Sequence, residues 1–136
     1  MNRVKAFIER GSDGTFGVYV DLEDETLNYG IHGDGTTVEE AIEDFNLSYA
    51  EMKKIYEKDG KEFVEAVFEF QYDVASFLAY YGQYMSLAGL SRLTEVSQGQ
   101  LSHYLNGHRN PSAKTTLKIQ TKIQEFGKEL QQLHFV

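Results

Sequence analysis

The side chains best suited to reading another molecule lie close together near residue 100: Gln98, Gln100, Ser102 and His103. Glutamine can bond in bidentate fashion to the edge of adenine in a major groove, and serine or histidine can bond to several bases. These residues fall in a short helix over 97–105, whose apolar positions are Leu101, Tyr104 and Leu105. A helix over 86–94, marked by Leu87, Leu90 and Leu93, precedes it across a bend of three residues. Ser97 is placed to cap the second helix, and Leu90, Val96 and Leu101 are spaced to lock the pair at a steep angle. That leaves the polar side chains on the outer face, where they bring little apolar surface needing burial.

Other candidate chemistry is thinner. Asp13, Asp21, Asp34 and Glu39 could be drawn together as the carboxylates of a metal-dependent nuclease. Acids in turns and at a helix start have ordinary explanations in turn bonding and the helix dipole. No nucleophile is coupled to a base, so no enzyme is expected. His103 and His108 stand five apart with no third ligand nearby, so neither a metal site nor a cofactor is expected. His32 ends a strand.

The elements that position these groups change character at Asp73. Before it the hydrophobic period is mostly two. Val4, Ala6 and Ile8 alternate with Lys5, Phe7 and Glu9, and Phe16, Val18, Val20 and Leu22 alternate with Gly17, Tyr19 and Asp21. The Gly11-Ser12-Asp13-Gly14 turn joins these two runs as a hairpin. A third short strand is expected over 27–32, with Gly33-Asp34-Gly35 breaking the chain after it. Thr37 and Glu40 form a capping-box pattern for a long amphipathic helix that Gly60 ends. Val64, Ala66, Phe68, Phe70 and Tyr72 then read as a returning strand. After Asp73 the period is about 3.6 throughout. Helical runs follow through Val74, Phe77, Leu78, Tyr81 and Met85, then through the pair over 86–105. A last helix opens at Asn110-Pro111-Ser112 and runs through Ile119, Ile123, Phe126 and Leu130. The class expected is α+β: a small β-β-β-α-β module over 1–73 followed by an all-α module over 74–136.

Charge divides at the same point. Residues 1–73 hold 18 Asp+Glu against 7 Lys+Arg, a net of −11, and residues 74–136 hold 3 against 6, a net of +3. Phosphates are repelled by the first part and tolerated by the second, so two modules with different partners are expected. With 41% hydrophobic residues the chain can bury a core, which excludes wholesale disorder. No signal-peptide core or membrane-length apolar run is present, and there is no cysteine, so a cytoplasmic protein is expected.

Residues 90–112 resemble the helix-turn-helix of the Xre/Cro-type repressors. Ser97-Gln98, Leu101-Ser102, Leu105-Asn106-Gly107 and Pro111-Ser112 fall in the register of that family. The resemblance implies base contacts from Gln98, Ser102 and His103, with Gln100 beside them and Gly99 letting the groove wall come close. It implies phosphate contacts from Asn106, Arg109 and Lys114. Three positions depart from the pattern: Ser91 replaces an alanine, Leu87 stands where a bracing glutamine is common, and Glu95 stands where the turn usually has glycine. Glutamate there is awkward if the position needs a positive φ.

The first part is similar to the HicB antitoxins. The hairpin with Asp13-Gly14, Phe16, Val18, Val20 and Leu22 carries that similarity, as does Gly33-Asp34-Gly35-Thr36 with Glu39-Glu40-Ala41. Asp21-Leu22-Glu23-Asp24-Glu25 replaces the Pro-Asp-Leu-Pro-Gly-Cys turn often found in that family. The resemblance implies a degenerate ribonuclease-H-like module joined to a DNA-binding one. It also implies a HicA-like toxin partner, a small basic ribonuclease whose RNA surface the antitoxin covers. Operator DNA is the second implied partner, bound by a homodimer or a higher even oligomer. Two other functions fit the same residues: a stand-alone regulator whose first module senses a ligand or dimerises, and a ribonuclease-H-like enzyme with a DNA-targeting domain.

Overall fold

The computed structural model describes residues 1–136. Four strands and five helices follow in the order β1 (Asn2–Arg10), β2 (Phe16–Val20), β3 (His32–Gly35), α1 (Val38–Lys58), β4 (Ala66–Tyr72), α2 (Val74–Tyr81), α3 (Leu87–Thr94), α4 (Gln98–Leu105) and α5 (Ala113–Gln131). This is a mixed α+β chain, the class expected from its two hydrophobic periods. It divides into two compact units, Met1–Tyr80 and Tyr81–Val136. No helix is long and apolar enough to cross a membrane.

In the first unit the sheet order is β3-β2-β1-β4. β1 pairs antiparallel with β2 and parallel with β4, while β2 pairs antiparallel with β3. The alternation in sequence becomes two faces. Val4, Ala6, Ile8, Phe16 and Val18 are buried on one, and Lys5 and Glu9 are exposed on the other. α1 lies over the buried face through Val38, Ala41 and Phe45, and the Phe45 ring stands edge-on to Phe68 at 4.8 Å and Phe70 at 5.8 Å. Edge-to-face rings suit the aromatic quadrupole and fill the space between helix and sheet.

The helix start differs in detail from the capping box. The Thr37 hydroxyl accepts from the Glu40 amide at 3.1 Å, as the motif requires. The Glu40 carboxylate reaches one residue further back, accepting from the Thr36 amide (2.9 Å) and hydroxyl (2.6 Å). Those bonds hold the Glu40 carboxyl below its ordinary pKa. At the other end, Gly60 takes φ +66° just beyond the Asp59 cap, as a glycine there should.

The third strand is not where the sequence pattern put it. Residues 27–32 alternate in burial because Tyr29 and Ile31 pack into the core, but only His32, the first residue of β3, joins a ladder. Tyr29 stacks on Phe63 at 4.6 Å and donates its hydroxyl to Val64 O at 2.6 Å, while the Asn28 side chain donates to Glu62 O. The strand is instead the segment expected to break the chain. Gly33 and Gly35 face α1 so closely that a Cβ at Gly33 would lie 2.5 Å from Ala41 O and nearer still to the Phe45 amide, and one at Gly35 would lie 2.5 Å from Ala41 N. Only glycine lets strand and helix approach in this way. The returning strand is also shorter than expected, starting at Ala66, whose amide donates to Tyr49 Oη at 3.1 Å.

Asp73 makes the change from strand to helix. Its carboxylate accepts from the Ser76 amide (2.8 Å), starting α2, and from the Arg10 amide (3.0 Å), tying that start to the end of β1. α2 ends at Tyr81, so Met85 lies outside the helix expected to contain it. In the second unit Leu90, Val96, Leu101, Tyr104 and Ile119 are buried on α3, α4, α5 and the turn between the first two.

Candidate nucleic-acid interface

The second unit's site is built from its turns outward. Ser86 starts α3 by accepting from the Gly89 amide at 3.0 Å. At the other end the buried Thr94 hydroxyl donates to Leu90 O (2.7 Å) and accepts from the Val96 amide (3.3 Å). Glu95 then takes the left-handed conformation, φ +62° and ψ 24°, and is the one non-glycine residue with positive φ. The position therefore has the geometry that glycine favours, and a glutamate fills it. Two lysines of α5 meet it: Lys118 Nζ donates to Glu95 O at 3.2 Å, and Lys122 Nζ lies 3.8 Å from its carboxylate. Both cations sit at the carbonyl end of α3, where the helix dipole favours positive charge. Sequence reading missed this pair. Its only trace is the spacing of Lys114, Lys118 and Lys122 along one helix, which does not name the turn they reach.

Ser97 caps α4, accepting from the Gln100 amide at 3.2 Å. Leu101 and Tyr104 turn into the core, while Gln98, Gly99, Gln100 and His103 are exposed and Ser102 is half-buried. At 3.6 residues per turn, Gln98, Ser102, Asn106, Gly99 and His103 share an arc of about 140°. Gln100 stands about 200° round from Gln98, so the two amides diverge. A Cβ on Gly99 would meet nothing within 4 Å, so the fold places no demand for glycine there.

The end of α4 is turned by Asn106 and Gly107, the latter at φ +74°. Asn106 Nδ2 donates to Ser102 Oγ at 3.3 Å. His108 N donates to His103 O, and the two imidazoles stand edge-on with centroids 6.1 Å apart. Arg109 and Lys114 are exposed and form no ion pair. Ser112 restarts the chain as α5 by accepting from the Thr115 amide at 3.2 Å. The chain from α4 to the start of α5 thus carries the exposed amide and imidazole side chains of α4, then Arg109 and Lys114, exposed and without an ion pair. The donors and cations there can meet bases or phosphates.

The carboxylates considered for a nuclease are not gathered. Asp13 accepts from the Thr15 hydroxyl (2.7 Å) and amide (3.0 Å), which lower its pKa. Asp21 accepts from the Glu23 amide, Asp34 pairs with His32 Nε2 at 2.9 Å, and Glu39 lies in the first turn of α1. No three His, Asp or Glu side chains converge where they could hold a metal ion.

In class, then, the chain is a small mixed sheet with a helix on one face, followed by a helical unit with a polar outward helix. No profile of a known family, no curated protein and no solved structure matches it.

Proposed function

We propose that the chain is an antitoxin that represses its own operon: a degenerate ribonuclease-H-like module that neutralises a HicA-like ribonuclease toxin, followed by a helix-turn-helix module that binds operator DNA. The observation that carries this reading is the pairing of α3 and α4 through the left-handed Glu95, with Gln98 and His103 exposed, Ser102 half-buried, and Arg109 and Lys114 exposed in the segment that follows. In this reading α4 enters the major groove, Gln98 contacts a base, Gly99 leaves room for the groove wall, and Asn106, Arg109 and Lys114 meet phosphates. Gln100, diverging from Gln98, reaches the groove from the other flank. The charge division supports the assignment of partners, since the −11 of the acidic part would speed encounter with a basic toxin and the +3 of the rest admits DNA.

The test is a titration of the full chain against DNA from upstream of its own gene at several salt concentrations. Gln98→Ala should weaken the specific site by about 1–3 kcal/mol and relax discrimination at one base pair. Arg109→Ala should weaken all DNA alike and reduce the salt slope by about one. If both variants bind as the parent does, α4 is not the reading head. On the toxin side, a small basic protein should be encoded beside this gene and the chain should restore growth to cells making it; absence of such a neighbour, or failure to restore growth, removes that half of the reading.

A further inference from the structure

The face of the sheet turned away from α1 has a vacancy in it. Glu9 of β1 pairs across the ladder with Gly17 of β2, and Gly17 pairs with Asp34 of β3. All three stand on that face, so two carboxylates flank a position without a side chain, their Cα atoms about 10 Å apart across the two ladder steps. The neighbouring row is Phe7, Tyr19 and His32, with Phe7 and Tyr19 edge-on at 5.6 Å. Glu9, Gly17, Asp34 and Tyr19, together with Arg10, Gly11 and Thr15, line a depression of about 200 Å³.

Nothing in the fold asks for glycine at 17. A Cβ there would meet Asp34 Oδ1 at 3.7 Å and Gly33 O at 3.9 Å, ordinary contacts, and its φ is not in the left-handed region. Glycine inside a strand weakens it, and an unforced one marks a place where another group comes close. The flanking acids are already oriented. Glu9 Oε1 accepts from the Tyr19 hydroxyl at 2.6 Å, and Asp34 Oδ2 is held by His32 while the Asp34 amide donates to Asp44 Oδ2 at 2.8 Å. Each keeps one carboxylate oxygen without a partner, and Asp34 Oδ1 is the atom nearest the vacancy. The one cation of the lining, Arg10, donates to Gly11 O at the rim.

We propose that this trough receives the guanidinium of an arginine side chain from a basic protein partner. A planar fork with five donors can reach acceptors on both sides while its face lies on the Tyr19 ring. A lysine ammonium is a compact, strongly hydrated point charge and cannot span two carboxylates set this far apart. The −11 of residues 1–73 supplies the long-range attraction, and the trough supplies the choice of arginine over lysine. The inference rests on reading the first unit as the partner-facing half, but its test needs no toxin.

The full chain is titrated with hexa-arginine and, separately, hexa-lysine, following backbone amides by NMR. Hexa-arginine should shift Glu9, Gly17, Tyr19 and Asp34 and bind at least tenfold more tightly than hexa-lysine. Gly17→Val, or the milder Gly17→Ala if the valine variant does not fold, should reduce hexa-arginine binding toward the hexa-lysine level, as should Glu9→Gln with Asp34→Asn. Glu51→Gln with Glu57→Gln removes equal charge from α1 and should change binding less than twofold. Equal binding of the two peptides, shifts outside the trough, or an equal loss in the α1 variant would overturn the proposal and leave only diffuse attraction. Failure here leaves the toxin reading to its own growth test, whereas failure of that test alone leaves an arginine site with a different owner.

Discussion

Gly33 and Gly35 in the first unit and Glu95 in the second meet steric demands in opposite ways. At the two glycines the backbone is in ordinary strand geometry, and the demand comes from outside, from α1 lying where a Cβ would be. At Glu95 there is no crowding of that kind. The demand is in the chain itself, at φ +62°, and a glutamate meets it with help from Lys118 and Lys122. A packing demand admits one solution, because two backbones cannot both move. A conformational demand of about 1–2 kcal/mol can be offset by contacts the side chain makes elsewhere. Gly17 and Gly99 answer neither demand, and both lie on faces argued to touch a partner.

The largest expected effect tests the packing side of that comparison. Gly33→Ala forces its methyl into the α1 backbone, and relief requires moving helix from sheet across Phe45. The loss should be about 3 kcal/mol or more, at the upper end of overpacking costs, read as a fall in the urea midpoint. Gly17→Ala, one ladder step away on the other face and free of crowding, should change stability by less than about 0.5 kcal/mol. Similar losses for the two variants would mean that the close approach of α1 does not set the requirement.

Glu95→Gly tests the other side and should be smaller and of opposite sign. Glycine removes the left-handed strain but adds freedom to the unfolded chain and gives up the exposed pairing with Lys122, which is worth about 0–1 kcal/mol. The Lys118 bond survives, since it is made to the carbonyl. A net gain of up to about 1 kcal/mol is expected. A loss would show that the Lys122 contact outweighs the strain, and the turn would then be stabilised electrostatically.

The same contrast explains what could be read from the sequence. β1, β2, α1 and β4 each carry an apolar period, so their places are visible in the residues alone. β3 is invisible to such a reading, because Gly33 and Gly35 have no hydropathy to show and their role exists only once α1 is in place. Tyr29 and Ile31 imitate a strand because they alternate in burial for other reasons, Tyr29 through the aromatic cluster with Tyr56 and Phe63 and Ile31 through the main core. The α4 face is legible because caps and core residues are local to it. The trough at Gly17 is not, because its row of three needs the register of β3, which the sequence misplaces by several residues.

The smallest effect expected concerns Tyr19, where the two rows of the trough meet. Its hydroxyl donates to Glu9, and that bond, then burial, then the negative field of Glu9, Asp73 and Asp21, push its pKa up to about 12 from the ordinary 10. The neutral form is therefore favoured in the folded protein. Its contribution to stability is complete below about pH 10 and is lost as pH rises toward 12. Burial, with smaller help from nearby Tyr49, Glu65 and Tyr56, moves Tyr29 in the same direction, so two first-unit tyrosines should ionise late in an ultraviolet titration. Tyr19→Phe should remove one of them and make the decline of stability between pH 10 and 12 shallower, by less than the equivalent of one proton because the half-buried residue is still partly screened by solvent. Glu9→Gln should bring the Tyr19 titration back toward its ordinary range while leaving Tyr29 late. If Glu9→Gln leaves both late, burial rather than the hydrogen bond holds Tyr19. The Glu9 carboxylate would then be freer to turn toward the Gly17 vacancy than its 2.6 Å contact implies.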